Sequence, residues 1–401
     1  MIGIRSVTYH LSRNFSIENI LCLDKLIQDW EKNYPSIRTF RVNLPAINSP
    51  IDDTFLKQIS TACNNIGIRW FNVPIDPCME DSRERGKMFH HAFSILRDFP
   101  HTFVNIIAAK SSEIDYDILT RSAKLIQDVS TISNGSDNFR LGISSNIKPD
   151  GPFFPFTMSS GDYGFSISLE LTQKINDILN ENKDVSNMSL FLLKEHLIKT
   201  LRPQLDVINE LAEEIASANK IAFKGFDFSL APIIDSNGSV LSILKTLGLK
   251  KLGDSGSMFV TAFLTEFLKS FGKYYKMVGF SGVMYSLLED LEFCTMNINE
   301  GISIEQITSV STMCGCGIDM VPVYGEIAMN EILAILLDIA SISCRLNKPL
   351  GVRLLPIPRT LNNQNHHTLF SDDADFISNT KIVPVNNSFN PFINRNKKII
   401  L

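Results

Sequence analysis

Apolar positions along the chain recur with two periods that take turns. From Ile20 through Leu23 and Ile27 to Trp30 the spacing is three or four residues. That is the mark of an amphipathic helix, with Ser16 placed to cap it and Pro35 to close it. Arg38 to Leu44 then alternates, with Phe40, Val42 and Leu44 on one face and Thr39, Arg41 and Asn43 on the other. A strand of this kind turns polar groups toward a cleft or a barrel interior. The succession repeats. A helix capped by Asp52 or Asp53 carries Leu56, Ile59, Cys63 and Ile66 and ends at Gly67. A strand follows at Arg69 to Val73, a helix at Met88 to Leu96, a strand at Thr102 to Ala108, a helix at Ile118 to Val129 and a strand at Arg140 to Ser145.

With Ile2 to Tyr9 at the start and Phe165 to Leu169 in the middle, the first half supplies six strands. The second half adds Gly225 to Pro232, Met277 to Phe280, Ile318 to Val323 and Gly351 to Pro356. Ten strands with mainly helical connections predict a closed α/β barrel rather than an open sheet. A long helical region from Leu190 to Asn219 is expected to be interrupted at Pro203. The barrel is drawn as one domain over residues 1–358, with an Asn-rich extension over 359–401 packing on it.

Three stretches depart from the simple alternation. Lys148 to Pro155 is a loop that neither a strand nor a helix can absorb. Gly253-Asp254-Ser255-Gly256-Ser257 opens a helix whose free amides can receive an anion. Ser303-Ile304-Glu305-Gln306 has capping-box spacing and starts a helix that runs into Cys314-Gly315-Cys316-Gly317, where the two glycines are expected to turn the chain into a buried strand carrying Asp319.

Composition narrows the function classes. The 401 residues carry 38 Lys and Arg against 43 Asp and Glu, a formal net charge of −5 with no basic run. Nucleic acid is a poor partner for such a chain, because that affinity comes from neutralised phosphates. Seven scattered cysteines fit a reduced cytoplasm better than a disulfide framework. No signal peptide is read at the start, and the most apolar helical run, Ile332 to Cys344, is too short to span a membrane and contains Asp338.

At Phe226 to Pro232, Gly279-Phe280-Ser281-Gly282 with Glu289-Asp290, and Met313-Cys314 through Gly317 to Pro322, the chain resembles the domain of unknown function 711 family, whose members are labelled pyruvate-formate-lyase-like. Further similarity lies at Ile4 to Thr8, Gly151 to Pro155, Val352 to Pro356 and Asp375 to Ser378. The resemblance implies a ten-stranded α/β barrel like that of the glycyl-radical enzymes, and brings no known reaction with it. It also implies a histidine soon after the Pro-Phe-Phe-Pro loop, where this chain has Ser159. That weakens any mechanism needing an acid, a base or a metal ligand there. Cys314 matches the family cysteine, and Cys316 is an addition. No glycine follows Gly351, so a glycyl radical beside the cysteine is not expected.

The candidate chemistry follows from these positions. Cys314 is a nucleophile at a strand mouth or a small buried residue. Cys314, Asp227 and Asp319 are expected nearest the chemistry as the catalytic group, and Glu289 with Asp290 can hold a divalent cation, Mg²⁺ or Ca²⁺. Ser255, Gly256, Ser257, Ser281 and Gly282 are the candidate anion binders. His366-His367 lies in a polar stretch and reads as solvent-exposed. The expectation is a cytoplasmic enzyme, a lyase or a transferase, acting on a small anionic metabolite and forming a homo-oligomer. A non-catalytic metabolite-binding or scaffold protein is the alternative.

Overall fold

The computed structural model describes residues 1–181, 187–235, 237–358, 368, 377–386 and 398–400. His366, His367 and Asp375 lie outside the described residues, as does most of the C-terminal extension. Strands β1 (Ile4–His10), β2 (Phe40–Asn43), β3 (Trp70–Ile75), β4 (Thr102–Lys110), β5 (Glu113–Asp115), β6 (Leu141–Ser145), β7 (Gly164–Leu169), β8 (Ala222–Asp227), β9 (Gly317–Tyr324), β10 (Leu350–Ile357) and β11 (Lys398–Ile400) form one mixed sheet. Its main path runs β8-β7-β1-β2-β3-β4-β6-β10-β9, and the short β5 and β11 pair beside β4.

Within that path β1, β2, β3, β4 and β6 are mutually parallel. The pairs β7–β8 and β10–β9 are each parallel and run against them. Helices cover the outside, which is why the strands read as near-continuous apolar runs. β10 is buried at every position. The capping box at Ser303 and Gln306 forms as expected and starts the helix Ile304–Val310. Pro203 does not interrupt its helix, which runs unbroken over Leu190–Asn219.

The expected eighth strand is the main difference. Met277 to Phe280 forms no ladder, and among the described residues the segment 277–286 has as β pairing the single parallel bridges Phe226–Met277, Leu230–Val283 and Ser286–Asp319. Strand ladders therefore do not close the sheet. The cause is local: Gly279 and Ser281 take φ of +65° and +47°. Their turn aims the amides of Phe280 and Ser281 at the Asp227 carboxylate, at 2.8 and 2.9 Å, instead of at a neighbouring strand. Asp227 also accepts from the amide and hydroxyl of Ser229.

The loop after β6 packs against residues of β2, β3, β4, β6 and β10. Residues 150–159 are gripped there by asparagines on successive strands. Asn72 and Asn105 donate to the Thr157 carbonyl at 3.0 and 3.4 Å, and Asn43 donates to its hydroxyl at 3.3 Å. Room for Phe156 comes from Gly142 and Gly351, where an added Cβ would stand 2.8 and 2.4 Å from its ring. Beside this plug His10 is fully buried, with Nε2 2.7 Å from Ser166 Oγ and Nδ1 3.1 Å from Asn43 Nδ2. An amide nitrogen only donates, so Nδ1 accepts and Nε2 carries the proton. His10 is thus a neutral structural group, unable to act as a base toward Ser166.

Two outcomes are expected. Burial pushes His10 down to about 4, against the opposing pull of Asp150. The unfolded chain then binds the proton below the ordinary histidine range while the folded protein does not. Stability should fall as pH drops from about 6.5 to 4, by up to about 1.4 kcal/mol per pH unit. Urea unfolding of wild type and His10→Gln at pH 7 and 5 checks this, since the variant should lose less. Asp227→Asn places an amide donor against amide donors and should cost about 2–4 kcal/mol. Denaturant titration reads that loss.

Candidate functional site

A cavity of about 450 Å³ opens where β1 to β4 begin. That is an ordinary size for a small-molecule site. Its lining includes Arg5, Arg38, Arg41, Arg69 and Arg353 against Glu31, Glu289 and Asp319. Five guanidiniums face three carboxylates there, whereas the whole chain is net negative.

The plug loop supplies the floor and orients the cations. The Arg5, Arg41 and Arg353 guanidinium carbons lie 5.9, 5.4 and 5.9 Å from the ring centroids of Phe153, Phe154 and Phe156. Such stacking holds a guanidinium without consuming its N–H groups. Arg353 is further fixed by a bidentate pair with Asp319, at 2.7 and 2.9 Å. The backbone helps: the β9–β10 register slips between Val352 and Leu354, and Met320 takes φ +50°. A bulge at this point re-aims neighbouring side chains, and Asp319 and Arg353 both reach the cavity. Burial lowers the Arg353 proton affinity, but Asp319 and Glu289 outweigh it and hold Arg353 above its ordinary value.

Glu289 stands between two cations, 3.6 Å from Arg5 and 3.6 Å from Arg353, beyond hydrogen-bond range. Arg5 donates to the Pro232 carbonyl at 2.7 Å. Arg41 has one long contact of 3.5 Å to the Pro152 carbonyl, and its buried Nε has no protein partner. Burial, reinforced by the charge of Arg5, pushes Arg41 down to about 9. Ser286, 1% exposed, lines the same cavity with its Oγ unpartnered.

Two of the carboxylates expected from sequence, Asp319 and Glu289, therefore meet in one place. Asp227 does not line the cavity, because its oxygens are taken up by the turn it organises. Asp290 accepts from Ser239 Oγ and from the amides of Val240, Leu241, Glu292 and Phe293, joining two helix starts. A divalent cation does not fit Glu289 and Asp290: one is flanked by arginines and the other is saturated by donors. Among the described residues no group of three or more His, Cys, Asp or Glu is disposed to hold a metal.

Cys314 is fully buried in the main core, and its sulfur accepts from the Gly317 amide at 3.4 Å. A hydrogen bond from the Cys316 thiol, with help from Lys348, pulls Cys314 down to about 6, although burial opposes this. Cys316 packs with Phe153, Phe156 and Met284 behind the cavity wall, and neither thiol lines the cavity. Gly317 turns the chain with φ +97°, whereas Gly315 provides close approach to Gly282. Ser281 and Gly282 hold the turn beside Asp227 and Ser229. Ser255 and Gly256 are exposed on a surface loop, and Ser257 Oγ is bonded within that loop. Ser159 donates to the Leu11 carbonyl and does not line the cavity. Sequence reading did not single out Arg5, Arg41, Arg353 and Ser286 as site residues; the polar face of Thr39, Arg41 and Asn43 was the available signal.

Comparison with known proteins adds the family. The profile described as Uncharacterised ACR (DUF711) matches residues 42–364. A UPF0210 protein of Pyrobaculum arsenaticum is 26% identical over 257 residues, covering 63% of this chain and 56% of that protein. A UPF0210 protein of Sulfurisphaera tokodaii is 27% identical over 224 residues, 54% of this chain and 49% of that one. One from a Thermoanaerobacter species is 24% identical over 303 residues, 74% of this chain and 65% of that one. The chain spans about half the length of the first two of these relatives. Since the profile match runs through most of the sequence, including β3 to β10, the chain belongs to the uncharacterised DUF711 family.

Proposed function

We propose that this chain is an enzyme that binds a small organic anion in the cavity above Phe153, Phe154 and Phe156. The observation that carries the reading is the surplus of arginine in one cavity, whose lining residues Arg41 and Ser286 also hold a buried Nε and Oγ without a protein partner. A buried donor without an acceptor costs stability, and an anion supplies the missing acceptor and the missing charge together. In this reading the three bridges at 277–286 complete a ten-segment barrel of two opposed five-segment halves, like the pyruvate-formate-lyase barrel, with the cavity at its mouth.

Arg41 and Ser286 hold the anionic group, with Arg5 alongside. Arg353, fixed by Asp319, orients what lies between. Glu289 is the acid/base group, because it is the inner cavity carboxylate that no hydrogen bond holds. Cys314 and Asp227 support the fold behind the site.

The test uses Arg41→Met, Ser286→Ala and Glu289→Gln. Oxalate and acetate should raise the melting temperature of wild type, and at a hundred times Kd the gain corresponds to about 2.7 kcal/mol. Arg41→Met should abolish that response while making the ligand-free protein more stable by about 1 kcal/mol, since an uncompensated buried charge is gone. Ser286→Ala should weaken binding roughly tenfold or less. After incubation with a metabolite extract, mass spectrometry should find an anion depleted by wild type and spared by Glu289→Gln. Equal anion responses in wild type and Arg41→Met would refute the binding reading, and equal depletion with Glu289→Gln would refute the acid/base role.

A further inference from the structure

We infer that the anion carries a planar apolar body, of the class of aryl carboxylates, an inference that rests on the anion-binding reading above. Apart from charged groups, Thr39 and Ser286 are the only hydroxyl or carboxamide side chains in the lining among the described residues. Over the face formed by Trp70, Phe103 and Phe139 the hydroxyl groups of a polyhydroxylated body would meet aromatic rings, and each one buried without a partner costs affinity.

An apolar body has a matching surface. Trp70, Phe103 and Phe139 form an edge-to-face cluster with centroid separations of 5.2, 5.5 and 5.9 Å. Phe103 continues it to Phe154 of the floor at 5.7 Å, the ring against which Arg41 stacks. The aromatic cluster is therefore continuous with the guanidinium whose Nε lacks an acceptor. A carboxylate bonded in the Arg41 plane directs a flat ring along the Phe154–Phe103 side, where aromatic pairing adds to simple burial. The cavity of about 450 Å³ is also far larger than acetate or inorganic phosphate needs.

Calorimetric titration of the full chain with acetate, benzoate and gluconate at equal ionic strength tests the inference. Benzoate should bind at least tenfold more tightly than acetate, and gluconate no more tightly than acetate. Phe103→Leu keeps an apolar side chain of similar reach and should bring benzoate to within a few-fold of acetate, with acetate unchanged. Should that variant not fold, the wild-type series decides alone. Acetate matching benzoate, or gluconate binding most tightly, overturns the aryl inference and leaves the anion reading standing. No binding of any of the three to wild type overturns both.

Discussion

The chain segment 150–159 is the constraint on which the rest depends. A loop cannot be buried inside a sheet unless its backbone groups find partners there. Here three asparagines from β2, β3 and β4 reach Thr157, while Thr157 Oγ1 and Thr8 satisfy the carbonyls of Gly151 and Pro152. Glycines on β6 and β10 open the space for Phe156. Once the loop is seated, its three phenylalanines form a floor that supports three arginines from β1, β2 and β10. Cavity, charge and loop are one construction.

That construction separates two roles for buried polar groups. Asp227, Asp290 and His10 have their hydrogen-bonding capacity filled by the protein, and they fix the turn, the two helix starts and the plug. Arg41 Nε and Ser286 Oγ are withdrawn from water without such partners. Burial alone does not distinguish the two groups; the census of donors and acceptors does. Asp319 belongs between them, structural in its hold on Arg353 yet exposed to the cavity through the bulge at Met320.

Much of the fold was legible because its strands and helices carry strong periodicity. Nine of the ten expected strand segments overlap strands of the sheet. Met277 to Phe280 misled because its apolar pattern suits a strand while Gly279 and Ser281 bend the backbone toward Asp227, a partner fifty residues away in sequence. Pro203 misled the other way, since tertiary packing along a long helix can carry a residue that propensity alone would make a break. β5 and β11 are too short to leave a pattern. At the site, carboxylates and cysteines drew attention as groups with obvious chemistry, yet only Asp319 and Glu289 among them reach the cavity. Arginines at the starts of strands look like solvated ends in a sequence. Their convergence depends on the antiparallel junctions β1–β7 and β6–β10, which no local pattern encodes.

The most direct measurement is a crystal structure with 4-bromobenzoate, located by the anomalous signal of bromine. The account predicts the carboxylate within hydrogen-bond distance of Arg41 Nε and Ser286 Oγ, with bromine toward Phe103. Bromine found only outside this cavity, with Arg41 Nε still lacking an acceptor, would contradict it.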